Sequence, residues 1–318
     1  MARGPGRDAS SLDDHPARDD RALRAVCEDA AMGRWDGPRD LIAATGSDWD
    51  RRVFRLQVLA RQGVRLRWVE TWMAAEPGNP DALAALAHVR SLRVILAGTD
   101  SDQASREAAW RTCQEAAAAA PEDPSPWLVM MALVRTLAPD WPAMAGLWEE
   151  VRDRDPYNRE GYHELLAYLM PRAQGSTTAM FNWAHEQVHQ APRGTPTPVL
   201  LLVAQAEYHR HRTAQDPRRF GPTVHPWLDC PDIDRVLERW WHYRAPQPHA
   251  NFADDANYLA HALCFAGRHE EALDVFEEIG PYATRLPWSY CGDARALFVK
   301  HRERAYASTK TSRWRRRS

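Results

Sequence analysis

Residues 185–189 read His185-Glu186-Gln187-Val188-His189. On a helix the two histidines lie one turn apart on one face, so both imidazoles can reach a single zinc ion. Glu186 can then polarise a zinc-bound water, and the chemistry is metal-assisted hydrolysis. Such a site needs a third ligand. Glu207, eighteen residues beyond His189, is the candidate, and His211 lies one helical turn beyond it. Two considerations weigh against the site. If the chain hinges near residue 194, His185 lies level with Val203, which leaves Glu207 about 6 Å further along its helix. The apolar neighbours Phe181, Ala184 and Val188 also give this helix a packing role that needs no metal.

Other chemistry is sparse. There is no G-x-x-x-x-G-K-[ST] phosphate loop, no G-x-G-x-x-G and no G-x-S-x-G nucleophile elbow. The five cysteines, Cys27, Cys113, Cys230, Cys264 and Cys291, form no C-x-x-C pair. An odd, scattered set fits buried thiols in a reducing cytosol better than a disulfide framework. From Lys300 onward there are eight basic residues and one acidic residue, and the end of the chain sets Lys310, Arg313, Arg315, Arg316 and Arg317 around Trp314. Such a tail can touch nucleic acid or anionic lipid. The chain as a whole carries a formal charge of −2, which makes no global case for either polyanion. Fourteen tryptophans either pack between helix layers or line an aromatic groove for a partner. The first ten residues lack an apolar core segment, so no signal peptide is expected and the expected location is cytoplasmic. The apolar runs Trp127–Val134 and Val199–Ala204 are too short to span a bilayer.

The elements that must hold these residues are helices. Alanine, leucine and arginine fill runs such as Asp81–Ala97 and Ser105–Ala120. Leu83, Leu86, Ala87 and Val94 recur at helical spacing, and no segment alternates with the period of a strand. Proline marks the breaks. Pro77, Pro121, Pro156 and Pro192 each follow a helix end and precede polar capping residues, with spacings of 44, 35 and 36 residues. Proline cannot continue a helix, and a period in this range belongs to stacked two-helix repeats. Residues 1–20 are polar and expected to be a disordered tail. The helical-repeat region is placed at 21–212, a Pro-rich loop or joint at 213–231, C-terminal helical repeats at 232–306 and a basic tail at 307–318.

Two resemblances bear on function. Residues 256–276 resemble the tetratricopeptide repeat. Ala272 and Phe276 fall where that repeat packs a small residue against a large one, Leu259 and Ala260 occupy its Leu-Gly pair, and Gly267 is its inter-helix turn. The chain departs from the pattern at Ala256, Leu263 and Thr284. Trp49 and Pro77 are spaced for a second, degenerate repeat, and residues 155–181 look like an uncharacterised group of bacterial helical-repeat proteins. This resemblance implies an all-α fold of antiparallel helix pairs stacked as a tetratricopeptide-like α-solenoid. It implies a non-catalytic scaffold or adaptor that binds a protein or peptide partner, with no cofactor and no membrane. The H-E-x-x-H run is similar to the zincin metallopeptidase signature. That alternative implies zinc held by His185, His189 and Glu207, with Glu186 as the catalytic residue. Zincins set this helix beside a β-sheet, and no strand is read here. A nucleic-acid-associated regulator using the basic tail is a weaker third reading.

Overall fold

The computed structural model describes residues 12–216 and 227–315. Fifteen α-helices and no strand occur among the described residues. They are α1 (Arg21–Ala31), α2 (Asp36–Thr45), α3 (Trp49–Gly63), α4 (Trp68–Ala75), α5 (Pro80–Ala97), α6 (Gln103–Ala119), α7 (Ser125–Leu137) and α8 (Trp141–Arg154). Then follow α9 (Arg159–Leu169), α10 (Thr177–Gln190), α11 (Val199–Gln215), α12 (Pro231–Arg239), α13 (Phe252–Phe265), α14 (His269–Ile279) and α15 (Ala294–Arg315). The all-α expectation holds. The turns predicted at Pro77, Pro121, Pro156 and Pro192 fall between α4 and α5, α6 and α7, α8 and α9, and α10 and α11.

Local chemistry sets the helix starts. Asn79 Oδ1 accepts from the backbone N–H groups of Asp81 and Ala82, and Pro80 occupies the first turn, where no N–H is needed. Asp48, Asp102, Asp140 and Asn158 cap α3, α6, α8 and α9 in the same way. Each cap satisfies a backbone donor that the helix cannot satisfy itself.

The chain divides into two compact units. The N-terminal unit is Pro16–Trp183, and the C-terminal unit is Ala184–Ser318 with Met1–His15. The boundary falls inside α10. Within the N-terminal unit, α3, α5, α7 and α9 pack in succession, and α3 also touches α7 and α9. The intervening helices α4, α6 and α8 pack against the helices before or after them. The central helix α5 touches α2, α3, α4, α6 and α7, and buried residues lie all round it from Ala82 to Val94. With the short 3₁₀ turn after it, α5 is long and apolar enough to cross a membrane, a test that the core helices of water-soluble proteins also pass. Half of its apolar window is buried inside the fold.

Many of the tryptophans pack between helices, as the packing reading expected, while Trp141 is half exposed. Trp35 and Trp68 each stack against Trp72 at 6.4 Å between ring centroids, and Trp148 meets Tyr162 edge-on at 4.9 Å. Trp68, Trp72, Trp227, Trp240 and Trp288 are fully buried.

In the C-terminal unit α14 packs between α13 and α15. Trp288 meets Phe276 and Phe298, and its indole N–H donates to Asn257 Oδ1 at 2.8 Å. Asn257 Nδ2 in turn donates to the carbonyls of Ala253 and Tyr282, so this buried amide is well partnered. Gly267, at φ +79°, makes the turn from α13 to α14 in a conformation that residues with a Cβ rarely adopt. Ala272 and Phe276 on α14 are buried, as are Leu259 and Ala260 on α13. Ala272 has no exposed surface. Ala272→Leu is expected to cost about 1–3 kcal/mol by overpacking this layer. Calorimetry checks it, and a thermal midpoint equal to that of the unsubstituted protein would show that the site has room.

Three boundaries differ from the sequence reading. Residues 12–20, expected in a disordered tail, make specific contacts. Asp13 N–H donates to the Pro281 carbonyl, Asp14 pairs with Arg295 at 2.7 Å, and Asp20 caps α1 while binding Arg55. Arg55 of α3 and Arg295 of α15 supply the distant charges, and local composition carries no sign of them. Of the expected 213–231 loop, α11 takes the start through Gln215 and α12 begins at Pro231, while 217–226 lie outside the described residues. The expected basic tail begins as part of α15, which runs to Arg315. Residues 1–11 and 316–318 of the two expected tails lie outside the described residues.

Candidate functional site: a cleft between alternate helices

Because α3, α5, α7 and α9 pack in succession and α3 also meets α9, their side chains converge on one cleft of about 340 Å³. Its apolar surface comes from Leu92 and Ile95 of α5 and from Leu128, Val129 and Ala132 of α7. Its polar surface comes from all four helices. Gln57 Nε2 of α3 donates to Glu160 Oε1 of α9 at 2.7 Å, which ties the two outermost helices together. Arg135 of α7 forms a forked pair with Glu164 of α9 at 2.7 and 3.3 Å. That pairing raises the affinity of the Arg135 guanidinium for its proton beyond what burial takes away. Arg61 lines the cleft and is exposed.

His88 of α5 lines the same cleft and is buried. Its Nε2 has no hydrogen-bond partner. Burial pushes the imidazole down to about 4, and the Arg52 charge adds to this while Asp123 opposes it. The ring is therefore neutral near pH 7 and offers one donor and one acceptor. Arg52 bridges Asp81 at 2.7 Å and Asp123 at 2.8 Å, which fixes α3 to the start of α5 and to the turn before α7. Asp123 Oδ1 also accepts from Ser125 N–H at the start of α7.

A cleft of this size with an apolar floor and a few fixed polar groups is suited to holding part of a ligand. It contains no tryptophan, so the aromatic-lined groove considered from the sequence is not the cleft observed here. The sequence carries no local sign of it, because Gln57, His88, Arg135 and Glu160 come from four helices. The one usable signal is the alternation of helices that the prolines mark out.

The H-E-x-x-H residues lie in the C-terminal unit. His185, Glu186 and His189 are exposed on α10, while Ala184 and Val188 are buried, so the expected packing face is there. His185 Nδ1 lies 2.9 Å from an Arg235 nitrogen, and its Nε2 lies 3.9 Å from an Asp232 oxygen. Glu186 Oε1 accepts from Gln190 at 3.4 Å. Glu207 is buried on α11, where it accepts a short hydrogen bond from the Tyr290 hydroxyl and pairs with Arg210 at 3.0 Å. The structure brings His185 and His189 to one pocket and leaves Glu207 out of it. Among the described residues no three His, Cys, Asp or Glu side chains gather where they can hold a metal ion. His211, the further candidate, lies 2.9 Å from Gln215 on its own helix.

Tertiary folding also makes one thiol–imidazole pair that the sequence did not suggest. Cys291 Sγ lies 3.7 Å from His261 Nε2, the two being 30 residues apart. Burial pushes this thiol up, against the direction a nucleophile requires. All five cysteines are free thiols.

No protein-family model matches this chain, and a search of the curated proteins finds no relative.

Proposed function

We propose that this chain is a non-catalytic adaptor, a tetratricopeptide-like stack of helix pairs that takes a segment of a protein or peptide partner into the cleft between α3, α5, α7 and α9. The observation that carries this reading is the cleft itself. Four alternate helices present an apolar floor at Leu92, Ile95 and Leu128 beneath polar groups already held in place by one another. Groups ordered before binding lose less entropy when a partner arrives. Helices that alternate between an inner and an outer layer are how such stacks make an inner face, and neighbours bury what one pair cannot. This reading keeps the chain free of a cofactor and places it in the cytoplasm.

The test is selection of peptides from a displayed library on the full chain, followed by fluorescence anisotropy. Ala132→Trp fills the cleft from α7 without removing a core side chain, since Ala132 is only partly buried. Selected peptides are expected to bind the parent protein and to lose at least about tenfold in affinity, about 1.4 kcal/mol, for the filled variant. Peptides that bind both proteins equally well would place the binding surface elsewhere.

A further inference from the structure

The pocket that receives His185 and His189 has a cationic wall facing the histidines. It measures about 240 Å³ and is lined by His185, Val188 and His189 of α10 with Arg235 and Arg239 of α12. Each helix presents two nitrogen-rich side chains four residues apart, so both pairs point the same way from their helices.

The hydrogen bonding fixes what this pocket can take. A guanidinium only donates, so the contact between Arg235 and His185 Nδ1 makes Nδ1 the acceptor. The neutral imidazole then carries its proton on Nε2, towards Asp232. Neither nitrogen of His185 offers a free lone pair to a cation in this arrangement, and two guanidinium charges stand beside it. Asp232 is the acid facing these groups, and Arg235 engages it at 3.0 Å.

Arg239 is held in place before any ligand arrives. Its NH2 group donates to the Ala191 carbonyl at 2.7 Å, and Gly194 N–H donates to the Arg239 carbonyl at 2.7 Å. A Cβ on Gly194 would stand 2.6 Å from the Tyr243 carbonyl oxygen, so glycine is what lets this loop close on the end of α12. The Arg239 Nε–H is buried and lacks a partner.

From this geometry we infer that the H-E-x-x-H segment belongs to an oxyanion site, in which Arg235, Arg239 and His189 bind a phosphoryl group. The ligand class is a small phosphate dianion, either inorganic phosphate or a phosphate monoester. Arg235 and Arg239 line the pocket with two guanidinium groups, and a phosphoryl group offers several acceptors to such donors. Glu186, the residue a hydrolase would need, has no role in it.

The test uses the full chain and isothermal titration with sodium phosphate, O-phosphoserine and adenosine monophosphate, at constant ionic strength set with chloride. Saturable one-to-one binding of at least one of these is expected. Arg239→Gln and Arg235→Gln are each expected to weaken it about tenfold or more, the size of losing one charge-assisted hydrogen bond. Arg235 is half-exposed, so its variant reports on binding even if Arg239→Gln disturbs the fold. Arg285→Gln, at an exposed arginine elsewhere in the same unit, is expected to leave the affinity unchanged. If phosphoserine or the nucleotide binds more tightly than phosphate, the natural ligand is a monoester, and the reverse order assigns it to the free ion. Heat changes no larger than those of chloride, or equal phosphate affinity in Arg235→Gln and the parent protein, would overturn the inference. So would stoichiometric zinc binding that is lost in His189→Ala and unaffected by phosphate.

Discussion

Arg52→Ala is expected to lower the stability of the N-terminal unit by about 3–5 kcal/mol, the cost of breaking a buried ion pair from one side. Arg52 is buried and is held by two carboxylates on different segments, Asp81 and the equally buried Asp123. Removing the guanidinium leaves Asp123 buried beside a second acid, with one backbone N–H, from Ser125, as a partner. That is the costly case, because the desolvation of a charge remains after its compensation is gone. Urea unfolding followed by tryptophan fluorescence reads the loss. Adding Asp123→Asn to the variant removes the stranded charge, so the double variant is expected to recover at least about 1 kcal/mol. A loss below about 1 kcal/mol for Arg52→Ala would show that the carboxylates find other partners in the fold.

The second large effect is a hidden pH dependence. Asp50 at the start of α3 is raised to about 7, chiefly by burial and then by Asp155, although Arg159 opposes this through its backbone N–H and its charge. The folded state therefore holds this proton more tightly than the unfolded chain. The stabilisation is complete below about 4, the ordinary carboxylate value, and is lost as pH rises through about 7. His88 does the opposite. Burial pushes it down to about 4, so its stabilisation is complete above about 6.5 and is lost as pH falls towards 4. The two slopes overlap and oppose each other between about pH 4 and 6.5. Asp20 is also held low, which places its loss below the ordinary carboxylate value and outside this window. The parent protein is expected to show a shallow profile for these two groups, and each variant to expose the other. Asp50→Asn keeps an acceptor for the Arg159 N–H and gains stability at pH 8. Between pH 7 and 4.5 it is expected to lose about 2 kcal/mol more than the parent does. This is less than the full shift because Asp50 retains some exposure. His88→Gln should tilt the profile the other way, towards greater stability in acid. Parallel profiles for the three proteins would refute the assignment of either shift.

Both effects bear on the cleft. Asp50 accepts from the first residue of α9, and Gln57 binds Glu160 one residue further on. These are the polar ties between the first and last helices that line the cleft. Acid-dependent changes in peptide affinity would therefore be read against the stability of this α3–α9 contact.

Local chemistry determined much of this protein from sequence alone. Proline cannot donate a backbone hydrogen bond, so the four breaks at Pro77, Pro121, Pro156 and Pro192 and the helices between them were legible, helped after Pro77, Pro121 and Pro156 by an Asn or Asp that can accept one. The tetratricopeptide resemblance marked out Ala272 and Phe276, both buried on α14, and the turn at Gly267, because helical spacing and positive φ are properties of a few consecutive residues. The chemistry was not legible. His185 and His189 have metal-ligand spacing, but spacing on one helix says nothing about what the next helix presents. The fold sets Arg235 and Arg239 opposite them and turns Glu207 towards Tyr290 and Arg210. The cleft is likewise a tertiary product, since the Gln57–Glu160 tie joins residues 103 apart and the Asp50–Arg159 tie joins residues 109 apart. Sequence fixes a side chain's position on its own helix. Which side chains share a pocket depends on how whole helices pack, and that is decided by the burial of tryptophans, alanines and leucines far from the site.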